Sequence, residues 1–402
     1  MYNKVTLRDM QLKGKRVLLR VDFNVPLNSK LQITNDKRIR ETIPTIQYLM
    51  EKGAKIVIMS HLGRPDGKVV PEFSLKPVAE RLREILKKPI LLANDVAGVE
   101  TYRYVRTMKP GDIVMMENLR FDPREIMNSE DFAKELAGVA DVYCNDAFGS
   151  MHREHASTTK IAEYLPSCVG FLVEKELQIL GRAMTNPKRP FVVIIGGAKI
   201  KDKISLISRM IDVADMVLIG GAMAYTFLRA EGYNMGRSIV EKDKLQLARL
   251  LLEKARAQGT KIVLPNDHVA TGEFSFAADS VTVSTKKFPR TAMGMDIGPS
   301  TIRHFKHYVS KASTVLWNGP LGVAEFHKFA KGTTEVAKEM AESKAFTIIG
   351  GGDSAKVIEQ LNLQSKINHI STGGGAMLKL LEGTELPGLK NIKNKDVPAE
   401  GK

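Results

Sequence analysis

The sequence predicts an α/β protein of two domains, each a parallel sheet flanked by helices in a three-layer, Rossmann-like arrangement. Short apolar runs alternate with amphipathic helical segments along all 402 residues, and this alternation favours right-handed crossovers between parallel strands. The runs are continuously apolar, as expected for strands that are buried on both faces. At roughly 150 residues per domain, the length by itself indicates two or three domains.

The apolar runs place the strands, and the spacing of apolar residues places the helices. We expect strands at 17–21, 55–60, 112–118, 141–145, 191–195, 216–219, 261–265, 314–317, 346–349 and 369–370. Apolar residues three and four positions apart predict helices at 72–88, 171–184 and 242–259. Runs in the first half are followed by Asp, Asn, His and Arg, whereas runs in the second half are followed by glycine. This difference predicts two domains with different ligands, each bound at the carboxyl ends of its strands.

The boundary between the domains is expected in the segment 167–190. The helix at 171–184 leads into the turn-rich segment 185–190, and we expect this helix to join the domains as a hinge. The first domain is therefore predicted over 1–170 and the second over 171–384.

The chain is strongly basic, with a formal net charge of +15 and a sequence pI near 9.6. This charge favours anionic partners such as phosphorylated metabolites, nucleotides, nucleic acid or an acidic surface, although an ordinary solvated surface explains it equally well. A nucleic-acid or anionic-surface binding protein is thus the alternative to an enzyme. A single tryptophan and dispersed basic residues do not match a single-strand binder. Two cysteines, no apolar run of membrane length and no signal-peptide core make the cytoplasm the expected compartment.

Basic side chains follow or lie near the strand ends of the first half: Arg38, His61, Arg64, Arg120 and Arg153. Guanidinium groups match the oxygens of phosphate or carboxylate in a bidentate way, so the set suits a small dianion. Each of these residues, taken singly, is compatible with a surface charge. Asp22 and Asn24 are candidates to accept hydrogen bonds from substrate hydroxyls, and a turn or cap role fits their spacing equally well.

Glycine pairs and triplets follow four apolar runs of the second half: Gly196-Gly197, Gly220-Gly221, Gly350-Gly351-Gly352 and Gly373-Gly374-Gly375. Glycine lets backbone N–H groups approach a phosphate at a helix N-terminus, although a single pair commonly marks only a tight turn. Lys199 and Lys203, four residues apart on one predicted helical face, are candidates to neutralise phosphate oxygens, and a solvated lysine face is the alternative interpretation. Asp353 is a candidate Mg²⁺ ligand, since magnesium takes one or two carboxylates together with nucleotide phosphates, and a helix cap is its other interpretation.

The common ATP-binding templates are absent from the sequence. No G-x-x-x-x-G-K-[ST] motif occurs, and the nearest match, residues 63–68, is one residue short and lacks the Ser or Thr. The segment 152–154 lacks the catalytic aspartate of protein kinases. Any ATP site must therefore be of another type.

Nine segments match, in order, the hallmarks of one enzyme family: RVDFNVP (20–26), SHLGRP (60–65), ENLRF (117–121), NDAFG (145–149), GGAK (196–199), DIGP (296–299), WNGP (317–320), GGGDS (350–354) and STGGGA (371–376). On these residues the chain resembles the phosphoglycerate kinases over almost its whole length. The resemblance implies reversible phosphoryl transfer between 1,3-bisphosphoglycerate with ADP and 3-phosphoglycerate with ATP, as in glycolysis and gluconeogenesis. It also implies Mg²⁺ as cofactor and a monomer without obligate nucleic-acid or membrane partners.

The resemblance further implies which residues bind each ligand. The acceptor substrate would contact Asp22, Phe23, Asn24, Arg38, His61, Leu62, Gly63, Arg64, Arg120 and Arg153. The nucleotide would contact Lys203, Gly294, Glu325, Gly351, Gly352, Asp353 and Ser354, with Glu325 at the ribose and Asp353 at the magnesium. The catalytic set would be Arg38, Lys199, Gly373 and Gly374. The chain end from about 385 to 402 would pack with the first domain.

The implied chemistry explains why no catalytic base is evident. A carboxylate acceptor is already ionised at pH 7, so the transfer needs no general base. Catalysis is expected to rest on positioning and charge stabilisation, with Arg38 and Lys199 at the transferring oxygens and the helix start at 373–374 at the moving charge. Closure of the domains would exclude water before transfer. Ala222 and Ala324 depart from the family pattern near the expected nucleoside pocket.

Overall fold

The computed structural model of the chain describes residues 3–395. These residues form two compact units. Unit 1 contains the described residues up to Gly181 and from Thr384 onward, and unit 2 contains Arg182–Gly383. The division falls within the helix that was expected to act as the hinge. Residues 396–402 of the expected C-terminal tail lie outside the described part of the chain.

Each of the ten predicted apolar runs contains a strand, and residues 3–395 form five further strands that were not predicted. In chain order they are β1 (Arg16–Arg20), β2 (Lys55–Met59), β3 (Leu91–Leu92), β4 (Ile113–Met115), β5 (Val142–Asn145), β6 (Ser167–Val169), β7 (Phe191–Ile195), β8 (Met216–Ile219), β9 (Lys261–Val263), β10 (Asp267–Thr271), β11 (Ser280–Ser284), β12 (Met293–Ile297), β13 (Thr314–Asn318), β14 (Phe346–Gly350) and β15 (His369–Ile370).

The helices alternate with the strands. In chain order they are α1 (Lys37–Glu51), α2 (Lys76–Leu86), α3 (Val99–Thr107), α4 (Glu130–Ala137), α5 (Phe171–Thr185), α6 (Ile204–Val213), α7 (Met223–Ala230), α8 (Leu245–Gln258), α9 (Pro299–Lys311), α10 (Lys331–Glu342), α11 (Gly352–Gln360), α12 (Gly375–Leu381) and α13 (Pro387–Lys390). Across residues 3–395, no helix combines the length and apolar character that crossing a membrane requires.

Each unit contains a six-stranded parallel sheet. The strand order is β3-β4-β2-β1-β5-β6 in unit 1 and β15-β14-β13-β7-β8-β9 in unit 2, and all pairs within both sheets are parallel. All five residues of β7 are fully buried, as are residues 17–19 of β1. Burying a large apolar side chain contributes about 1.5–3 kcal/mol, which is why these strands read as uninterrupted apolar runs. The predicted fold class is confirmed.

A smaller sheet in unit 2 was not predicted. Strands β11, β10 and β12 form an antiparallel sheet in that order. β11 is polar and largely exposed, and β10 begins with Asp267 and the buried His268. Neither strand is a continuous apolar run, so the pattern that identified the parallel strands could not detect them.

The three predicted helices are confirmed. α5 extends one residue beyond the predicted 171–184, whereas the other two are shorter than predicted because local signals end them. The segment 72–88 contains α2, which stops where Lys87 adopts the left-handed conformation with φ of 52°. The segment 242–259 contains α8, which ends before Gly259 with φ of 75°. The first turn of α5 is capped by Asp146, whose Oδ1 accepts hydrogen bonds from the N–H groups of Leu172 and Val173 at 2.9 and 3.2 Å.

The described part of the C-terminal tail lies in unit 1. The N–H of Gly388 donates to the Met151 carbonyl at 2.9 Å, and the N–H of Val5 donates to the Lys393 carbonyl at 2.9 Å. A Cβ on Gly388 would lie 3.0 Å from the Met151 side chain, so the tail approaches this loop closely.

Candidate active site

The candidate acceptor site of unit 1 lies at the carboxyl ends of four neighbouring strands. The sheet order sets β4, β2, β1 and β5 side by side, so the loops that follow them share one edge of the sheet. The predicted acceptor-binding residues lie in these loops, except for Arg38, which lies in the first turn of α1.

Asp22 is a buried carboxylate that several site residues contact. Its Oδ1 accepts a hydrogen bond from Arg38 Nη1 at 2.8 Å, and its Oδ2 accepts one from Ser150 Oγ at 3.1 Å. Burial by itself would raise the pKa of Asp22. The charge that His61 carries when protonated and the charges of Arg38 and Arg20 outweigh burial and lower the pKa to about 2. Asp22 is therefore a fixed negative charge that orders Arg38.

His61 is a buried imidazole held by Arg20. Nη2 of Arg20 lies 3.3 Å from Nδ1 of His61, and because a guanidinium can only donate, Nδ1 must accept. Burial lowers the pKa of His61 well below 6.5, Arg20 lowers it further, and Asp22 opposes them. The ring is therefore neutral near pH 7, with its proton on Nε2.

The loop after β2 is shaped by two asparagines. The N–H of Gly63 donates to Asn24 Oδ1 at 2.9 Å, and the N–H of Leu62 donates to Asn118 Oδ1 at 3.2 Å. Gly63 has a φ of 63°, and a Cβ there would lie 2.3 Å from the Phe73 ring, so only glycine fits. The Leu62 side chain is buried in the core, which leaves its backbone as its contribution to a site.

Arg120 carries an unmet hydrogen-bond donor. Its Nη1 donates to the Gly63 carbonyl at 2.7 Å, but its buried Nε finds no acceptor within residues 3–395. Burial, followed by the charges of Arg153 and Arg20, lowers the pKa of Arg120 to about 10. A buried unpaired donor among like charges is a position that a bound anion would satisfy.

The other predicted acceptor residues are placed differently. Phe23 is fully buried in the core, and its N–H donates to Ser60 Oγ at 2.9 Å. Arg64 is exposed, and Arg153 is half-buried with its Nε 3.3 Å from His152 Nε2. Hydrogen bonds link one subset of the predicted residues directly: Asp22, Asn24, Arg38, Gly63 and Arg120.

Sequence reasoning missed Arg20, Ser157 and Glu125. Arg20 is the last residue of β1 and is buried, and its Nε donates to Ser157 Oγ at 2.9 Å. Ser157 Oγ in turn donates to Glu125 Oε1 at 2.6 Å. A charge directly after the apolar residues 17–19 of β1 was the available signal for Arg20. The other two residues lie in loops, where no periodic pattern marks them.

Positive charge exceeds negative charge at this edge of the sheet. Low-dielectric surroundings strengthen the attraction of these groups for an anion with several oxygens. Four arginines face two buried carboxylates: Arg20, Arg38, Arg120 and Arg153 against Asp22 and Glu125.

In unit 2, several glycine turns pack backbone against backbone at the ends of β7, β8 and β13. A Cβ on Gly196 would lie 2.0 Å from the Pro320 carbonyl oxygen, and one on Gly319 would lie 2.2 Å from the Gly196 oxygen. A Cβ on Gly221 would lie 2.6 Å from the Gly197 oxygen. These glycines are required for the close approach of the turns to one another.

Three other glycine positions face open space. A Cβ added at Gly197, Gly352 or Gly374 meets no heavy atom within 4 Å beyond its chain neighbours. Gly352 begins α11, and Gly374 is the N-cap of α12. A phosphate can approach such backbone N–H groups. The N–H of Gly373, in contrast, donates to Ser371 Oγ at 3.0 Å.

Lys199 and Lys203 do not share a helical face, and this prediction was wrong. Lys199 has an extended backbone, residues 200–202 form a single 3₁₀ turn, and α6 begins only at Ile204. The chain leaves the glycine turn after β7 in an extended conformation, so the regular helix starts beyond both lysines. Lys199 is exposed.

Lys203 is held by Asn318, a residue that sequence reasoning did not assign. Nζ of Lys203 donates to Asn318 Oδ1. Burial lowers the pKa of Lys203, and Asp202 and Asp353 oppose this effect. The Nδ2 of Asn318 is buried and lacks an acceptor in the part of the chain that the structure describes. Asn318 therefore offers an unmet donor beside a lysine at the end of β13.

Asp353 and Ser354 occupy the first turn of α11 in different ways. Ser354 is buried, and its Oγ accepts a hydrogen bond from the N–H of Gly319 at 2.8 Å, so its side chain joins two turns. Asp353 is exposed. Residues 3–395 contain no group of three or more His, Cys, Asp or Glu side chains arranged to hold a metal ion. A magnesium ion that arrives with a nucleotide needs only one or two carboxylates, and Asp353, beside the open backbone of Gly352, fits that role.

Two of the residues expected to contact the nucleotide lie outside these turns. Gly294 belongs to β12, and its N–H donates to Ser238 Oγ at 2.9 Å. A Cβ there would lie 2.0 Å from the Tyr225 hydroxyl, so packing against Tyr225 requires glycine at this position. Glu325 is exposed in the loop after β13. Gly351, the N-cap of α11, has a φ of 88° that glycine adopts without strain.

Comparisons with known proteins agree with one another. A family model described as phosphoglycerate kinase matches residues 7–384. A phosphoglycerate kinase of Prosthecochloris aestuarii is 51% identical over 395 residues, which cover 97% of this chain and 100% of that protein. One of Thermosipho africanus is 50% identical over 396 residues, covering 98% of each chain.

Solved structures lead to the same family. The structure of phosphoglycerate kinase from Coxiella burnetii matches with a TM-score of 0.88 at 37% identity, over 96% of this chain and 98% of that one. The crystal structure of the enzyme from Pyrococcus horikoshii OT3 matches with a TM-score of 0.79 at 33% identity, over the same shares. With a family model over nearly its full length and relatives at about half identity, this chain belongs to the phosphoglycerate kinase family.

Proposed function

We propose that this chain catalyses reversible phosphoryl transfer between 1,3-bisphosphoglycerate with ADP and 3-phosphoglycerate with ATP, in glycolysis and gluconeogenesis. The observation that carries the proposal is the arginine cluster at the strand ends of unit 1, in which the buried Nε of Arg120 lacks an acceptor among the described residues. Membership in the phosphoglycerate kinase family supports the same reaction.

The acceptor substrate would bind to unit 1 through its anionic groups. Arg38, with Asp22 ordering its guanidinium at 2.8 Å, would meet the end of the substrate that receives the phosphoryl group. The neutral His61 would donate from Nε2, and Asp22 and Asn24 would accept from the substrate hydroxyl. The remaining anion-binding donors are proposed to be Arg64, Arg120 and Arg153. Phe23, Leu62 and Gly63 would line the site through their backbone, since their N–H groups already donate within the protein.

The transfer itself needs no protein base. The acceptor carboxylate is ionised at neutral pH, and Asp22, with a pKa of about 2, is a poor proton acceptor there. We assign Arg38 and Lys199 to the oxygens of the transferring group, where charge accumulates in the transition state. We assign the helix start at Gly373 and Gly374 to the stabilisation of the same charge as it moves with the transferring group.

The nucleotide would bind to unit 2 and bring magnesium with it. Lys203 and the start of α11 would face the phosphates, Glu325 would face the ribose, and Gly294 would lie near the base. Asp353 would hold the Mg²⁺, which when bound neutralises phosphate charge. Because the acceptor and the nucleotide bind to different units, closure about α5 is part of the proposal.

A coupled assay of ATP- and 3-phosphoglycerate-dependent turnover tests this function. Arg38→Ala and Lys199→Ala are each expected to lower kcat by about 10²–10³, the usual cost of removing one transition-state donor. Arg40→Ala and Lys201→Ala are the matched controls, since Arg40 is exposed on α1 and pairs with Asp36 at 2.9 Å, and Lys201 is exposed. Equal losses in targets and controls would contradict the assignments.

The same assay addresses the alternative suggested by the net charge of +15. A nucleic-acid or anionic-surface binding protein would show salt-sensitive retention on DNA without kinase turnover. Our proposal expects a monomer that acts in the cytoplasm on small molecules, so turnover should persist after any bound nucleic acid is removed.

A further inference from the structure

A buried chain of hydrogen bonds leads away from the arginine cluster through Arg20, Ser157 and Glu125. Nε of Arg20 donates to Ser157 Oγ at 2.9 Å, and Ser157 Oγ donates to Glu125 Oε1 at 2.6 Å. The backbone N–H of Ser157 also donates to Glu125, at Oε2 and 2.9 Å. Because the guanidinium can only donate, the chain has one direction and ends on the carboxylate. All three residues are buried.

The other side of Arg20 sets the state of His61. Nη2 of Arg20 lies 3.3 Å from Nδ1 of His61, and Nη1 donates to the Val21 carbonyl. The three nitrogens of one planar group therefore point at Ser157, Val21 and His61. Any rotation that releases Ser157 also moves Nη2 away from the imidazole. The tautomer of His61 thus depends on the anchoring of Arg20 at Ser157.

Glu125 is the negative charge to which this anchoring leads. It is fully buried, and burial raises its pKa while Arg20 and the hydrogen bonds from Ser157 oppose the rise. Nδ1 of His155 lies 3.7 Å from Glu125 Oε1, but burial and the arginines lower the pKa of His155 to about 3. His155 is neutral near pH 7 and does not replace Arg20 as the partner of Glu125.

A carboxylate close to an anion site weakens anion binding by charge alone, so its presence calls for a compensating role. We propose that Glu125, acting through Ser157, is a positioning residue that holds Arg20 against His61 and so keeps the His61 proton on Nε2, where it donates to the acceptor substrate. This inference rests on the proposed function for the identity of that substrate. Its structural part, the His61 tautomer, is independent of turnover.

The test compares Ser157→Ala and Glu125→Gln with Asp141→Asn in the full-length protein. Asp141 pairs with Arg16, the first residue of β1, at 2.6 Å, so the control removes a carboxylate at the opposite end of the same strand. We expect the KM for 3-phosphoglycerate to rise about tenfold in the two target variants, as for a lost hydrogen bond to a charged group. The KM for ATP should change less than about twofold, and both constants should be unchanged in the control.

Nitrogen NMR of the imidazoles distinguishes a positioning role from a purely structural one, because only the positioning role changes the His61 tautomer. The His61 signal, assigned by its loss in His61→Gln, should be that of the Nε2–H tautomer in the wild type and the control. It should become a mixture of tautomers in Ser157→Ala. This variant keeps the Glu125 charge and the N–H of residue 157 that donates to it, so it is the second variant if Glu125→Gln does not fold. An unchanged tautomer in folded Ser157→Ala overturns the proposal. A wild-type protein without turnover would refute the proposed function. The NMR result would still decide whether Glu125 and Ser157 set the His61 tautomer.

Discussion

Substitution of Asp22 by asparagine measures how strongly the arginine cluster depends on its internal carboxylate. Asp22 is buried and accepts hydrogen bonds from Arg38 and Ser150. Its pKa falls from 3.8 to about 2 in the folded protein, which corresponds to about 2 kcal/mol of stability at neutral pH. We expect Asp22→Asn to lower the free energy of unfolding by about that amount at pH 7.

The pH dependence of this difference follows from the direction of the pKa change. Because the folded-state pKa of Asp22 is the lower one, the unfolded chain takes up its proton first as the pH falls. The stabilisation is complete above about pH 4, is roughly halved at pH 3, and disappears as the pH falls through about 2. The difference in the free energy of unfolding between wild type and variant should therefore become smaller as the pH is lowered.

Urea unfolding, followed by hydrogen exchange of the β1 and β5 amides, measures this difference in the free energy of unfolding for unit 1. Asp131→Asn, at an exposed position in α4 of the same unit, is the matched control and should stay within about 0.5 kcal/mol of the wild type. A gap below about 1 kcal/mol at pH 7, or one that stays constant down to pH 3, would refute the electrostatic account.

Three further predictions concern the acceptor loop, the nucleotide site and unit 2. Gly63→Ala should cost at least about 1 kcal/mol of stability and raise the KM for 3-phosphoglycerate, because its Cβ would lie 2.3 Å from the Phe73 ring at a φ of 63°; a fully active, equally stable variant would contradict this. Lys203→Met should raise the KM for ATP about tenfold in the coupled assay, whereas Lys201→Met should leave it unchanged. Burial lowers the pKa of His268 from 6.5 to about 4. The stability that the neutral imidazole contributes is therefore present above pH 6.5 and is lost as the pH falls through 4, and the whole loss is about 3 kcal/mol. In His268→Gln, the free energy of unfolding should no longer fall between pH 6.5 and 4 for this reason. The fluorescence of the single tryptophan follows the unfolding, and a variant with the pH profile of the wild type would contradict this prediction.

Much of the candidate site could be predicted because it lies at strand ends. Residues such as Asn24, His61 and Arg120 follow apolar runs, and the rule that parallel sheets bind ligands at their carboxyl edge groups them from the sequence alone. Glycine turns were harder to interpret. Gly196 and Gly352 belong to similar motifs, yet a Cβ at Gly196 collides with a neighbouring turn whereas one at Gly352 meets open space.

The sequence by itself determined the fold class, since uninterrupted apolar runs such as β7 are stable only when both faces of the strand are covered. It also determined the family, through motifs spread along the whole chain. Only the tertiary structure decided which side chains meet. Ser157 follows β5 and reaches Arg20 at the end of β1 because the sheet sets these two strands side by side. Glu125 follows β4 and meets Ser157 only through the packing of their loops. The extended backbone at Lys199 separates it from Lys203. The physical reason is that strand periodicity is a local property, whereas charge pairing, burial and hydrogen-bond direction depend on neighbours that are distant in the chain.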